Sequence, residues 1–282
     1  MSDDRPIGVF DSGIGGLTVV RELFERLPNE SIVYFGDTAR VPYGSKSPLT
    51  VARYSREAAA FLLSRDVKMI VVACNTATAH AADQLAATLP VPVIGVIEPG
   101  ARAAVHATKT QRVGVIGTAG TIRSGAYDLA VRRRLPDARV YAQPCPLFVP
   151  LVEEGWHTRP AARLVAEEYL TPLREMDVDV LILGCTHYPL LHALVADVMG
   201  PGVTLVDSAA ETAGEVTAIL EELGMRRLSD HPPVHTFAAS DAPQRFREVG
   251  RAFVGERLTY VEHVDAEEFA VAAAAIATTS AG

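Results

Sequence analysis

Short β-branched runs alternate with longer amphipathic stretches along most of this chain, and the alternation runs through twice. Residues 6–10 read as a strand, and 15–27 as a helix with apolar positions at Leu17, Val20, Leu23, Phe24 and Leu27. A strand at 31–35, a helix at 48–64, a buried strand at 68–73 and a helix at 76–89 follow. Period-2 and period-3.6 segments in this order make βαβ units, hence a mostly parallel sheet with helices on both faces. After residues 93–96 the rhythm restarts with a strand at 112–116, a helix at 120–134 and a strand at 140–142. A helix at 160–173, a strand at 178–183 and a helix at 187–199 complete it, with Pro189 near the first turn, where its missing N–H costs little.

The two passes also share residues. Gly8-Val9-Phe10-Asp11-Ser12 lines up with Gly114-Val115-Ile116-Gly117-Thr118, and Leu27-Pro28 with Leu135-Pro136. Val71-Val72-Ala73-Cys74-Asn75-Thr76 lines up with Ile182-Leu183-Gly184-Cys185-Thr186-His187. Apolar matches between two βαβ stretches are cheap, but a cysteine at the same strand end in both is not. The expected fold is therefore α/β, with two pseudo-symmetric three-layer domains and mostly parallel sheets. Glu98-Pro99-Gly100 has turn chemistry and marks the expected boundary. Beyond Asp207 come a helix at 209–223, a strand at 234–239 and a helix at 242–253, too much for the second half to absorb. The expected division is 1–97 plus 208–265 for the first domain, 98–207 for the second, and an Ala-rich tail at 266–282, whose residues 271–282 read as a frayed helix or disordered.

Composition removes several function classes. The 282 residues are 49% apolar and 21% charged, an ordinary globular balance. A net charge of −8 gives no attraction to a phosphate backbone, so nucleic acid is not an expected partner. The basic run Arg132-Arg133-Arg134 reads as the solvated last turn of a helix. No stretch is long and apolar enough to span a membrane, and the first residues lack a signal-peptide pattern, so the expected setting is the cytoplasm. Three cysteines, Cys74, Cys145 and Cys185, are neither a disulfide framework nor a set with metal-ligand spacing, and no metal site is expected.

In a parallel sheet, ligands bind beyond the carboxyl ends of the strands. Four such ends carry chemistry here: Asp11-Ser12-Gly13-Ile14-Gly15-Gly16, Gly36-Asp37-Thr38 leading to Pro42-Tyr43-Gly44, Cys74-Asn75-Thr76, and Cys185-Thr186-His187. A cysteine between a strand end and a helix N-terminus is expected to have a lowered pKa. Glycines and hydroxyl residues leave backbone N–H groups free to hold carboxylates. If the halves face each other, Cys74 and Cys185 approach a ligand from opposite sides, the arrangement that proton removal on one face and delivery on the other requires. Asp11 fits a helix cap as well as a site acid. The glycines at 13–16 lack the lysine of a phosphate loop. Cys145, flanked by prolines, has no counterpart in the other half and reads as packing, and Trp156 and Tyr141 as core or interface.

At these residues the sequence resembles the glutamate racemase family. The matching stretches are Asp11–Thr18, Gly36-Asp37-Thr38 with Pro42-Tyr43-Gly44, Ala73–Ala77, Gly117–Thr121, 146–155 with Glu153, and Gly184–Leu191. The resemblance implies a site in the cleft between the two domains. It implies interconversion of L- and D-glutamate, supplying D-glutamate for peptidoglycan, with neither pyridoxal phosphate nor a metal. By the family pattern Cys185 takes the proton from L-glutamate and Cys74 from D-glutamate. Asp11 assists Cys74, and His187 with Glu153 assists Cys185. Asp11, Ser12, Pro42, Tyr43, Gly44, Asn75, Thr76, Thr118, Thr121, Thr186 and His187 are the expected substrate holders. A homodimer is the expected assembly.

Three other readings fit parts of the pattern. An aspartate or hydantoin racemase would use the same paired cysteines. A non-catalytic amino-acid-binding or regulatory protein would bind without exchanging the Cα proton. A thiol–disulfide protein would need its cysteines within bonding distance, whereas a substrate must fit between these two.

Overall fold

The computed structural model describes residues 2–278. Its strands are β1 (Ile7–Asp11), β2 (Ile32–Gly36), β3 (Met69–Val72), β4 (Val93–Gly95), β5 (Arg112–Gly117), β6 (Arg139–Pro144), β7 (Val180–Gly184), β8 (Thr204–Asp207), β9 (His235–Ala239) and β10 (Glu262–His263). They form a six-stranded sheet ordered β10-β9-β2-β1-β3-β4 and a four-stranded sheet ordered β6-β5-β7-β8. All of these ladders are parallel. The run β2-β1-β3-β4 and the run β6-β5-β7-β8 have one topology, so the repeat in the sequence is a repeat of strand order as well. The segment after Asp207 supplies β9, which pairs with β2 from Ile32 opposite His235 to Gly36 opposite Ala239.

The helices are α1 (Leu17–Arg26), α2 (Pro48–Ser64), α3 (Asn75–Thr88), α4 (Ile97–Ala107), α5 (Ala119–Arg123), α6 (Ala126–Arg134), α7 (Phe148–Glu153), α8 (Pro160–Glu175), α9 (His192–Met199), α10 (Ser208–Glu222), α11 (Pro243–Val254) and α12 (Ala270–Thr278). Every residue of β1, β2, β3 and β7 is buried, as expected of parallel strands covered on both faces. Alternation sends Ile7 and Val9 to the side packed by Leu17, Val20, Leu23 and Phe24 of α1. Phe10 goes to the other side, against Val51 and Phe61 of α2 and Ala77 and Leu85 of α3. β6 lies at the edge of its sheet and is largely exposed or half-buried.

Several local expectations are corrected. The helix expected at 120–134 is two, because Gly125 sits at φ +67° between α5 and α6. The helix expected from His187 begins as a 3-10 turn over Tyr188–Leu191 before α9. Glu98-Pro99-Gly100 is not a turn but the opening of α4, where proline's missing N–H is one that the helix would leave unpaired anyway. Trp156 is 53% exposed, which removes core from the expected core or interface. At the start of the Ala-rich tail, Phe269 packs edge-on against Phe61, 5.3 Å between centroids, and leads into α12. The end of the Ala-rich tail, 279–282, lies outside the described residues. The arginine run does end α6, paired to Asp128 and Glu98 at the surface. Among the described residues no helix is long and apolar enough to cross a membrane.

At the end of the large sheet away from its carboxyl edge lies a buried ion pair. Lys68, 0% exposed, reaches Glu30 at 2.6 Å and donates to the carbonyls of Asp3 and Met225, each at 2.8 Å. The other Glu30 oxygen accepts from the backbone N–H of Arg227 at 2.9 Å. One charge pair thus ties the N-terminal arm, β3 and the segment that leads back to β9.

Candidate active site

The carboxyl ends of β1, β3 and β7 converge on one small cavity of about 30 Å³. Ser12 follows β1, and Val41, Pro42, Tyr43 and Gly44 come from the loop after β2. Cys74, Asn75 and Thr76 line it at the start of α3. The other half contributes Thr118, Val149, Cys185, Thr186 and His187. Both cysteines therefore reach one cavity, from opposite sheets, and each is 6% exposed. No lysine or arginine side chain lines it. Among the described residues, no three His, Cys, Asp or Glu side chains come together in a way that could hold a metal ion.

Each cysteine has its own surroundings. Cys74 caps α3, its sulfur accepting the Ala77 N–H at 3.5 Å and its thiol donating to Ser12 Oγ at 3.7 Å. The expected lowering of its pKa does not occur. Burial, and next the charge of Asp11, outweigh the helix N-terminus and push the Cys74 thiol up to about 12. Asp11 is itself pushed up by burial, against His187 and the N–H groups of Gly13, Gly16 and Ser12, which draw it down. Asp11 is not the cap of α1, which is Gly16. Its carboxylate accepts from Gly13 N at 2.9 Å and from Thr186 Oγ1 at 3.5 Å, behind the cavity wall.

Cys185 has a histidine beside it instead. Its sulfur lies 3.9 Å from His187 Nδ1, and His187 Nε2 lies 3.0 Å from Glu153 Oε1 at the end of α7. Burial alone would lower the imidazole pKa, but bonds to Cys185 and Glu153 raise it to about 10. The linkage sign follows: a histidine titrating near 10 when folded and near 6.5 when unfolded contributes stability that is complete below about 6.5 and is lost as pH rises through about 10. Between pH 7 and 10.5 the wild type should lose about 1–3 kcal/mol more stability than His187→Gln, read from urea midpoints. Equal slopes in the two proteins would show that the charge on His187 does not support the fold.

Three expected residues stand back from the cavity: Asp11, Glu153 and Thr121. Thr121 Oγ1 lies 3.1 Å from the hydroxyls of both Thr76 and Thr118, which are 2.9 Å apart, so the three form a cluster across the two halves. Tyr43 is 1% exposed and its hydroxyl donates to Asp37, which also accepts from Arg40 and from Ser240, each at 2.8 Å. Asp37 thus anchors the loop that carries Pro42, Tyr43 and Gly44. That role, and the apolar walls Val41 and Val149, were not read from the sequence; valines carry no chemical signature. Cys145 is fully buried in the core and lines no part of the cavity. The halves meet closely: a Cβ on Gly15 would collide with Thr186 Oγ1 and His187 Nδ1, and one on Gly44 would stand 2.6 Å from Thr118 Cβ.

Residues 7–216 match the Asp/Glu/Hydantoin racemase family. The chain belongs to that family. It is an isomerase of the amino-acid racemase class. This racemase is 54% identical to the glutamate racemase of Geobacter metallireducens over 93% of its own length and 97% of the relative's. It is 52% identical to that of Syntrophus aciditrophicus, over 92% and 96%. Among solved structures, the racemase resembles the Francisella tularensis glutamate racemase in complex with D-glutamate, with a TM-score of 0.89 and 40% identity over 94% of this chain and 99% of that one. The Thermus thermophilus enzyme in complex with beta-chloro-D-alanine gives 0.86 and 48% identity over 95% and 100%.

Proposed function

We propose that this racemase interconverts L- and D-glutamate by a two-base mechanism, with Cys185 removing the Cα proton of the L-enantiomer and Cys74 that of the D-enantiomer. The observation that carries this is the single cavity with one cysteine from each sheet. Relatives bearing the name glutamate racemase at half identity over nearly the whole chain support the choice of glutamate. Cys74, with its pKa near 12, rests as a thiol ready to donate. Cys185 lies against His187, which the sulfur and Glu153 keep protonated and which can hand a proton back to it. The arrangement favours L-glutamate as the first substrate of the resting enzyme. The Cys74 side needs Asp11 close by to draw the thiol proton off before D-glutamate can react.

Ser12, Thr76, Thr118, Thr186 and the Asn75 amide supply hydrogen bonds for the substrate's charged groups, in place of arginine or lysine. The carbanion formed at Cα is stabilised by these fixed dipoles in a dry site. A cavity of about 30 Å³ holds roughly one water, so glutamate enters by a parting of the two halves and reacts after they close. Grooves of about 210 and 470 Å³ flank the entrance and share Val41 and Glu153. Two α/β domains, 1–97 with 208–265 and 98–207, moving as bodies fit this need, and the division of strands between the sheets supports them. Supply of D-glutamate for peptidoglycan, in the cytoplasm and as a homodimer, completes the reading.

The test is proton NMR of the protein with L-glutamate in D₂O without added cofactor, followed also by optical rotation. Loss of the Cα–H signal with decay of rotation is expected. Exchange of aspartate or a hydantoin but not glutamate would overturn the substrate, and no exchange with any of them would overturn the activity.

A further inference from the structure

Asn75 lines the cavity beside Cys74 and is 2% exposed. Its two side-chain atoms have different fates. Oδ1 accepts a hydrogen bond from the hydroxyl of Tyr127 at 2.7 Å. Nδ2 is buried and has no hydrogen-bond partner among the described residues. An unpaired buried amide nitrogen is costly and stays only where something else gains from it. Tyr127 is not part of the cavity wall. It belongs to α6, against the four-stranded sheet, and crosses to α3 of the other half to make this bond. Its ring is 3% exposed in a core with Val115, Val131 and Ile182, so the hydroxyl has little freedom. Burial keeps the phenol protonated, and hence a donor.

We propose that Tyr127 is a positioning residue for racemisation: by donating to Asn75 Oδ1 it fixes the amide orientation and aims Nδ2 into the cavity as a donor to a substrate carboxylate. This rests on the reading of Asn75 as a substrate holder. A carbonyl oxygen and an amide nitrogen have nearly the same shape, so packing alone does not choose between the two orientations of an asparagine. A fixed hydroxyl donor on one side does. Without it the amide is free to turn its oxygen toward an anionic substrate, which repels.

Tyr127→Phe removes the hydroxyl and keeps the ring. The KM for L- and D-glutamate should rise about tenfold, the equivalent of one charge-assisted hydrogen bond, with kcat changed less. Asn75→Ala should raise KM at least as much. The deciding measurement is the double variant. If Tyr127 acts through Asn75, adding Tyr127→Phe to Asn75→Ala leaves KM unchanged. If the two effects multiply, or Tyr127→Phe alone leaves KM at the wild-type value, the inference is overturned. If Asn75→Ala itself leaves KM unchanged, the reading of Asn75 as a substrate holder fails instead, and the inference with it. A Tyr127→Phe protein that only melts earlier, with KM intact, also counts against it.

Discussion

Alanine at Cys185 should lower kcat for glutamate racemisation by about 10²–10⁴-fold, and alanine at Cys74 should do the same, the usual scale for loss of a positioned acid or base. The loss should come without collapse, because Cys→Ala leaves a small apolar side chain at a site that is already tight. A finer signature separates two bases from one. On the proposed two-base reading, the thiol that remains when Cys185 is gone faces the D-enantiomer. In D₂O that variant should still exchange the Cα proton of D-glutamate slowly, returning deuterium to the same face, while L-glutamate keeps its proton. Cys74→Ala should show the reverse preference. Cys145→Ala is the control: the sulfur is buried outside the cavity, and racemisation should persist. Near-normal racemisation by either active-site variant, or exchange of the same enantiomer by both, would rule out two opposed thiols.

The second large effect lies far from the chemistry. Lys68→Met should cost about 3–5 kcal/mol, because Glu30 is left as a buried, unpaired carboxylate. Glu30 is 1% exposed, so water offers little relief. At the slope usual for chains of this size, the melting temperature should fall by about 10 °C. Adding Glu30→Gln should recover part of the loss, since the stranded charge is then gone. An unchanged urea midpoint in Lys68→Met would mean that the pair carries no net weight. Racemisation at low temperature should survive in both variants, as the pair sits at the opposite end of the strands from the cavity.

Much of the fold was legible because its signals are local. The apolar runs that make up most of β1 and all of β3 and β7 have no other comfortable place than a doubly covered sheet. Cys74 and Cys185 stood out because both end such runs and both precede polar residues. What was lost depended on tertiary setting. Glu98-Pro99-Gly100 looks like a turn until one counts that the first helical N–H groups need no partner, which lets α4 begin through it. Gly125 inside an apolar period gave little warning of a break between α5 and α6. The Cys74 pKa went the wrong way because burial by elements distant in sequence is invisible in its own segment, whereas the helix N-terminus is not. Tyr127 was missed for the same reason: its hydroxyl acts on a residue 52 positions away, in the other half.

The placement of β9 between β2 and β10 has a consequence for how the chain is made. As it leaves the ribosome, β1 to β4 emerge early, yet β2 has no neighbour on its outer side until His235–Ala239 have been synthesised. The second sheet needs nothing beyond Asp207, so it is complete while the first still has an open edge. An open parallel edge of Ile32, Val33, Tyr34 and Phe35 is an adhesive one. Nascent chains stalled between residues 208 and 235 should therefore be the ones that call most on chaperones, and a stop codon there should give aggregates rather than a smaller soluble protein.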